Sequence, residues 1–150
     1  MSLIKKLLSV IAFSALFASN SYAGPYTNDL SKCLVSSTSV QDRTTLVKWM
    51  FMAFSLHPEV EGLTKVSENQ INKVNKKTAD LIIRLLTDSC RQNAKDALKF
   101  EGQGTIEASF NVLGSVAGRE LATNPKVAAA MGGIEKFLDV EKLKSLSPNK

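Results

Sequence analysis

Apolar residues recur along the chain at helical spacing, and no run alternates with the period of two that a half-buried strand requires. Leu30, Cys33 and Leu34 stand at i, i+3 and i+4. Asn28 or Asp29 is the expected cap of that first short helix, and the polar run Ser36 to Ser39 ends it. Ser39 followed by Asp42 is a capping-box signal for a second helix. There Val47, Met50, Phe51 and Phe54 fall at i, i+3, i+4 and i+7, and Leu46, Trp49, Met52 and Ala53 widen the stripe around most of the circumference. A helix apolar nearly all round is expected at the centre of a bundle. His57-Pro58 stops it, because a residue preceding proline is disfavoured in the helical region.

Ser67 is the expected cap of a third helix, in which Ile71, Val74, Thr78, Leu81 and Leu85 repeat with heptad-like spacing. That helix carries Cys90 near its end and continues, with a kink, through Ala94, Ala97 and Leu98 to Gly102 and Gly104. Thr105 opens a fourth helix with a stripe of Ile106, Phe110, Leu113, Ala117 and Leu121, and Gly114 and Gly118 predict a close helix crossing on it. Asn124-Pro125 reads as a cap with proline at the first helical position. Short apolar pieces follow, broken at Gly132-Gly133, and Ser147 to Lys150 is expected to fray. The fold class is all-α: a compact bundle of about four longer helices plus short terminal helices, with one disulfide.

The first 23 residues change the charge arithmetic. Lys5 and Lys6, the apolar run Leu7 to Ala18 and the small residues Ser21 and Ala23 have the layout of a secretory signal peptide. The run is shorter than the roughly 20 apolar residues of a membrane span. The expected organisation is a signal peptide over 1–23 and a single helical domain over 24–150, placed in the periplasm or secreted, with no stable membrane insertion after cleavage. Removing Lys5 and Lys6 lowers the formal net charge from +5 to +3. The only basic cluster, Lys73, Lys76 and Lys77, has Glu68 and Asp80 nearby, which reads as a solvated face and not a nucleic-acid site. In an oxidising compartment Cys33 and Cys90, the only cysteines, are expected to form a structural disulfide.

Candidate chemistry is sparse. His57 is the only imidazole, and two Cys with one His fall short of a protein-only zinc cage. His57 with Glu59 or Glu61 has the residue types of a general base with a carboxylate partner, but its position also suits a helix C-terminus, where imidazole favours the dipole. Met50 and Met52 lie at core spacing, Cys-x-x-Cys-His is absent, and no haem, metal or other cofactor is expected. Gly102-Gln103-Gly104-Thr105 lacks the spacing and lysine of a phosphate loop, and Glu101, Glu107 and Glu120 are the remaining candidates for paired carboxylates. Asp42, Arg43, Lys48 and Trp49 form the most unusual local cluster. Arg43 is suited to pair with a carboxylate elsewhere in the fold. Trp49 reads either as a core plug or as an exposed interface anchor.

Cys33-Leu34-Val35, Asp42-Arg43 with Leu46, Trp49 and Phe51, His57-Pro58, Leu85-Leu86-Thr87 with Cys90, and Asn124-Pro125 with Val127 together resemble an uncharacterised family of small exported bacterial helical proteins. That resemblance covers about residues 30–140 and implies one helical domain without catalytic residues to carry over. In size, compartment and helix content the chain is also similar to the immunity proteins of type VI secretion amidase effectors, a fold-level analogy. The expected function is that of a non-enzymatic interaction protein with a protein partner, in its most concrete form an immunity or inhibitor protein against a cell-wall-degrading effector. A small periplasmic chaperone or stress protein is the first alternative, and an enzyme using His57 with a nearby carboxylate the second. The candidate interface residues are His57, Pro58, Glu59 and Glu61 in one connection, Gln103 in another, and Trp49 and Arg43 on the second helix. Oligomeric state is left open.

Overall fold

The computed structural model describes residues 24–146. The expected signal segment and the tail Ser147 to Lys150 lie outside the described residues. The helices are α1 (Pro25–Ser36), α2 (Val40–Ser55), α3 (Glu68–Arg84), α4 (Arg91–Glu101), α5 (Gly104–Ala122), α6 (Pro125–Gly132) and α7 (Val140–Lys144). A 3-10 turn at Glu61–Leu63 precedes α3, a π-helical segment at Leu85–Ser89 joins α3 to α4, and a second 3-10 turn at Gly133–Phe137 joins α6 to α7. The fold is all-α, with several longer helices packed together and no strand among the described residues.

The centre of the bundle is α1. It packs on both α4 and α5, and Leu30 and Leu34 are fully buried. Around them close Leu46 from α2, Leu81 from α3, Leu85 from the π segment, Cys90 just before α4, Ala94 and Ala97 from α4, and Leu113 from α5. Small polar residues let α1 and α5 approach. The carbonyl of Thr27 accepts hydrogen bonds from the buried hydroxyls of Ser31 at 2.7 Å and Ser109 at 3.1 Å. Two other buried hydroxyls, on Thr78 and Thr105, find no partner; each such group costs about 1–3 kcal/mol.

The start of α1 differs from the sequence expectation. The helix begins at Pro25, three residues before Asn28, with Gly24 as its N-cap and proline in its first turn. Its exposed amide ends are met by a side chain 75 residues away. The Glu101 carboxylate accepts the N–H of Tyr26 and the N–H of Thr27, both at 2.9 Å, and the Thr27 hydroxyl as well. A carboxylate here satisfies orphan donors and favours the positive end of the helix dipole. A Cβ at position 24 would overlap that carboxylate, so a larger residue there would make the Glu101 side chain shift. Tyr26 stacks on Phe100 at 4.7 Å between ring centroids, beside the same contact.

The other end of α1 is held covalently. Cys33 and Cys90 form a disulfide with Cα atoms 5.9 Å apart. The π segment makes that geometry possible. The Cys90 N–H donates to the Leu85 carbonyl at 2.8 Å, five residues back, so one extra residue enters the turn. Leu85 and Cys90 then both face the core. The expected kink after α3 is this segment. α4 stops at Gly102, whose φ of 85° is a conformation that favours glycine.

Two helices depart from their expected roles. α2 is peripheral, not central: only Leu46, Met52 and Ser55 are buried along its 16 residues. Its apolar circumference exceeds what α3 and α5 cover. In α5 the buried line is Thr105, Ser109, Leu113 and Ala117, while Ile106 and Phe110 are half-buried and Leu121 is exposed. The small residues take the inner positions because α1 lies close. Gly114 and Gly118 make no close crossing, since nothing lies within 4 Å of a Cβ built on either.

Cross-linking positions 33 and 90 closes a loop with a sequence separation of 57 residues, which constrains the unfolded chain by about 4 kcal/mol in the chain-entropy account. Denaturant unfolding of a Cys33→Ala, Cys90→Ala variant is expected to show a loss of about that size with an α-helical native baseline retained. A loss under about 1 kcal/mol would contradict the assigned role.

Candidate functional site

The polar interactions of α2 gather at its N-terminus and fix its direction. Ser39 and Asp42 form the expected capping box: the Asp42 N–H donates to Ser39 Oγ, and the Asp42 carboxylate accepts the Ser39 N–H at 2.9 Å. The same carboxylate pairs with Arg84 at the end of α3 at 3.0 Å. Burial pushes the Asp42 carboxyl up, but the hydrogen bonds from Ser39 and the Arg84 charge outweigh it and hold it below the ordinary range.

Arg43, named from sequence both as a pairing residue and as an interface candidate, faces inward. Its guanidinium pairs with Glu120 on α5 and donates to the Thr38 carbonyl at 2.6 Å. The hydrogen bond with Arg43 lowers the Glu120 pKa, and the same bond raises that of Arg43. Arg43 therefore braces α2 against α5 while staying half-buried. Glu101 and Glu120 are both engaged in structural bonds, which leaves Glu107 exposed without either as a free catalytic partner.

Beyond this braced end, α2 turns apolar side chains to solvent. Phe51 is 62% exposed, Phe54 70% and Leu56 50%. Trp49 is 39% exposed, so it lies at the surface and is not a core plug. The helix ends at Ser55, and the connection 56–66 closes with its own backbone bonds: the His57 carbonyl accepts from Val60 at 2.8 Å and Glu61 at 2.9 Å. His57, Pro58, Glu59 and Glu61 are all exposed. The His57 ring meets the Glu59 backbone, with Nδ1 accepting the N–H at 3.2 Å. This contact helps to order the turn. Leu63, at the end of the same connection, is 84% exposed in the 3-10 turn. Gln103 is exposed at the start of α5, in a different connection, and offers no side-chain cap there.

Two grooves flank α2. One of about 510 Å³ lies between α2, α3 and α5, walled by Trp49, Met50, Ile82 and Phe110, and it is this open space that Gly114 borders. The other, about 480 Å³, lies between α2 and the start of α3 and is floored by Val47, Phe51, Val66 and Val74. Among the described residues no group of three or more His, Cys, Asp or Glu side chains is placed to hold a metal ion, and no helix is long and apolar enough to cross a membrane. The geometry is an exposed apolar helix end with polar residues beside it. Comparison with known protein families, curated proteins and solved structures finds no match for the chain.

The braces carry a pH dependence. Hydrogen bonds from Thr27 hold Glu101 low, as the Arg43 bond does Glu120. A carboxyl lowered in the folded state contributes stability above its unfolded value and loses it as pH falls through the folded one. Stability is expected to hold down to about pH 4.5, the ordinary glutamate value, and to fall below it. A Glu101→Gln, Glu120→Gln variant is expected to be less stable at neutral pH and to show a shallower acid decline in urea titrations. An acid decline identical to that of the parent would remove these two groups from the account.

Proposed function

We propose that the protein is a non-enzymatic, exported interaction protein that binds a protein partner through the C-terminal half of α2 and the connection after it. In its most concrete form it is an immunity or inhibitor protein that covers the cleft of a cell-wall-degrading effector. The observation that carries the reading is the exposure of Phe54, Leu56 and Leu63 around one capped helix end, with His57, Glu59 and Glu61 exposed beside them. Interfaces place apolar anchors at the centre and polar groups at the rim. Because α2 is braced by Asp42 and Arg43, these anchors are held before a partner arrives, which lowers the ordering cost of binding. Steric inhibition needs no reacting group, and a connection between helices suits insertion into a cleft. The signal-peptide pattern of Met1 to Ala23 supports an encounter in the periplasm or outside the cell.

Photo-cross-linking from position 63 in the producing cell, read by mass spectrometry, identifies the bound protein. Its hydrolysis of purified peptidoglycan is then measured with and without this protein. Stoichiometric inhibition is expected, weakened about 30-fold by Phe54→Asp, the loss of a central anchor, and unchanged by Gln92→Ala on α4. A partner without wall-degrading activity would overturn the inhibitor form. Unchanged binding by Phe54→Asp would overturn the assigned face.

A further inference from the structure

The groove between α2, α3 and α5 is open, apolar and held in shape. Its volume is about 510 Å³, and its walls are Leu46, Trp49 and Met50 from α2, Ile82 from α3 and Phe110 from α5. Sites for small molecules span roughly 300–1,000 Å³, with mostly apolar walls and a few polar groups. The three helices that wall it are the three that the Asp42–Arg84 and Arg43–Glu120 pairs tie together, so its shape exists before anything enters. No residue of Pro125–Leu146 lines it, and neither do Phe54, Leu56 or Leu63. The groove stands apart from the C-terminal segment and from the anchors of the partner reading above.

Part of its lining lacks a side chain. Gly114 borders the groove, and a Cβ built on it meets nothing within 4 Å. Glycine weakens a helix interior relative to alanine, and no positive φ calls for it at this position. What glycine supplies here is room. At about 30 Å³ each, the share of one water in the liquid, the groove holds roughly 15 non-hydrogen atoms.

The polar chemistry is one-sided. Glu107 is the only charged residue in the lining, with no lysine or arginine beside it. It is exposed and takes part in none of the ion pairs among the described residues. Thr78, also in the lining, has a buried hydroxyl without a hydrogen-bond partner. Threonine has two side-chain rotamers in a helix, so this oxygen can turn towards an occupant. Carboxylate and hydroxyl are both acceptors in need of a donor. An ammonium group supplies donors and the charge opposite to that of Glu107. A carboxylate head group brings like charge and no donor.

We propose that this groove binds a small amphiphilic amine, its apolar body lying over Gly114 between α2 and α5 and its ammonium group at Glu107.

Three ten-carbon probes that differ only in head group test it: decylammonium, decanol and decanoate, at neutral pH and below the concentrations at which they self-associate. Trp49 is the only tryptophan, so its emission reads occupancy of the groove directly, and equilibrium dialysis gives the stoichiometry. One decylammonium per chain is expected, bound about threefold more tightly than decanol and about tenfold more tightly than decanoate. The formal net charge is positive, +5 for the full chain, so unspecific adsorption prefers the anion and the order of the probes separates groove from surface. Glu107→Gln brings decylammonium to the affinity of decanol and leaves decanol unchanged. Gly114→Leu occupies the open space and weakens all three about tenfold or more, with unchanged helical circular dichroism, because leucine favours helix over glycine. Decanoate bound as tightly as decylammonium overturns the cationic assignment. Affinities indifferent to Gly114→Leu place the probes elsewhere and overturn the site. A parent that takes up no probe overturns the proposal outright; if Phe137→Asp then takes one up, the groove belongs to the chain's own C-terminal segment.

Discussion

The fold depends on holding α1 at both ends. Its amide end is gripped by the Glu101 carboxylate and its carboxyl end is bonded through Cys33 to Cys90. Both restraints come from α4 or the residue that opens it, so α4 acts as a rigid bracket along α1. Between the two clamps Leu30 and Leu34 are fully buried. A 12-residue helix is marginal on its own; two long-range anchors let it serve as the axis on which α4 and α5 pack.

That choice of axis determines what faces outward. With α1 at the centre, α5 turns its small residues inward and α2 is pushed to the flank. α2 then carries more apolar surface than its neighbours can cover, and Phe51 and Phe54 reach solvent. The ion pairs of Asp42 and Arg43 stop the helix from rolling to hide them, because they fix its N-terminus to α3 and α5. The exposed anchors are therefore a consequence of the core geometry, held in place by polar contacts.

Much of the fold is legible in the sequence. Capping signals at Ser39, Ser67 and Asn124 mark helix starts that the structure keeps, and the disulfide forms between the expected cysteines. These are local or combinatorial signals, and a single chain suffices to read them. The start of α1 was not readable from capping propensity, because its cap is a carboxylate 75 residues distant; Pro25 after Gly24 was the available clue. The place of α2 was misjudged because an all-round apolar stripe fits a buried helix and a docking helix equally well. Periodicity reports how much apolar surface a helix has, not which neighbour is there to cover it. Of the candidate interface residues, His57, Pro58, Glu59 and Glu61 are exposed together after Phe54, Gln103 stands in another connection, and Arg43 is half-buried in an ion pair. Arg43 could be assigned only once its partner on α5 was known.

The claim that α1 is the axis and α2 the flank is tested most directly by native-state hydrogen exchange. The amides of Leu30 to Leu34 are expected to exchange only through global unfolding, tracking the full denaturant dependence. Those of Met50 to Ser55 are expected to exchange through local opening at a lower free energy. Protection of the α2 amides equal to or above that of α1 would contradict the account and return α2 to the core.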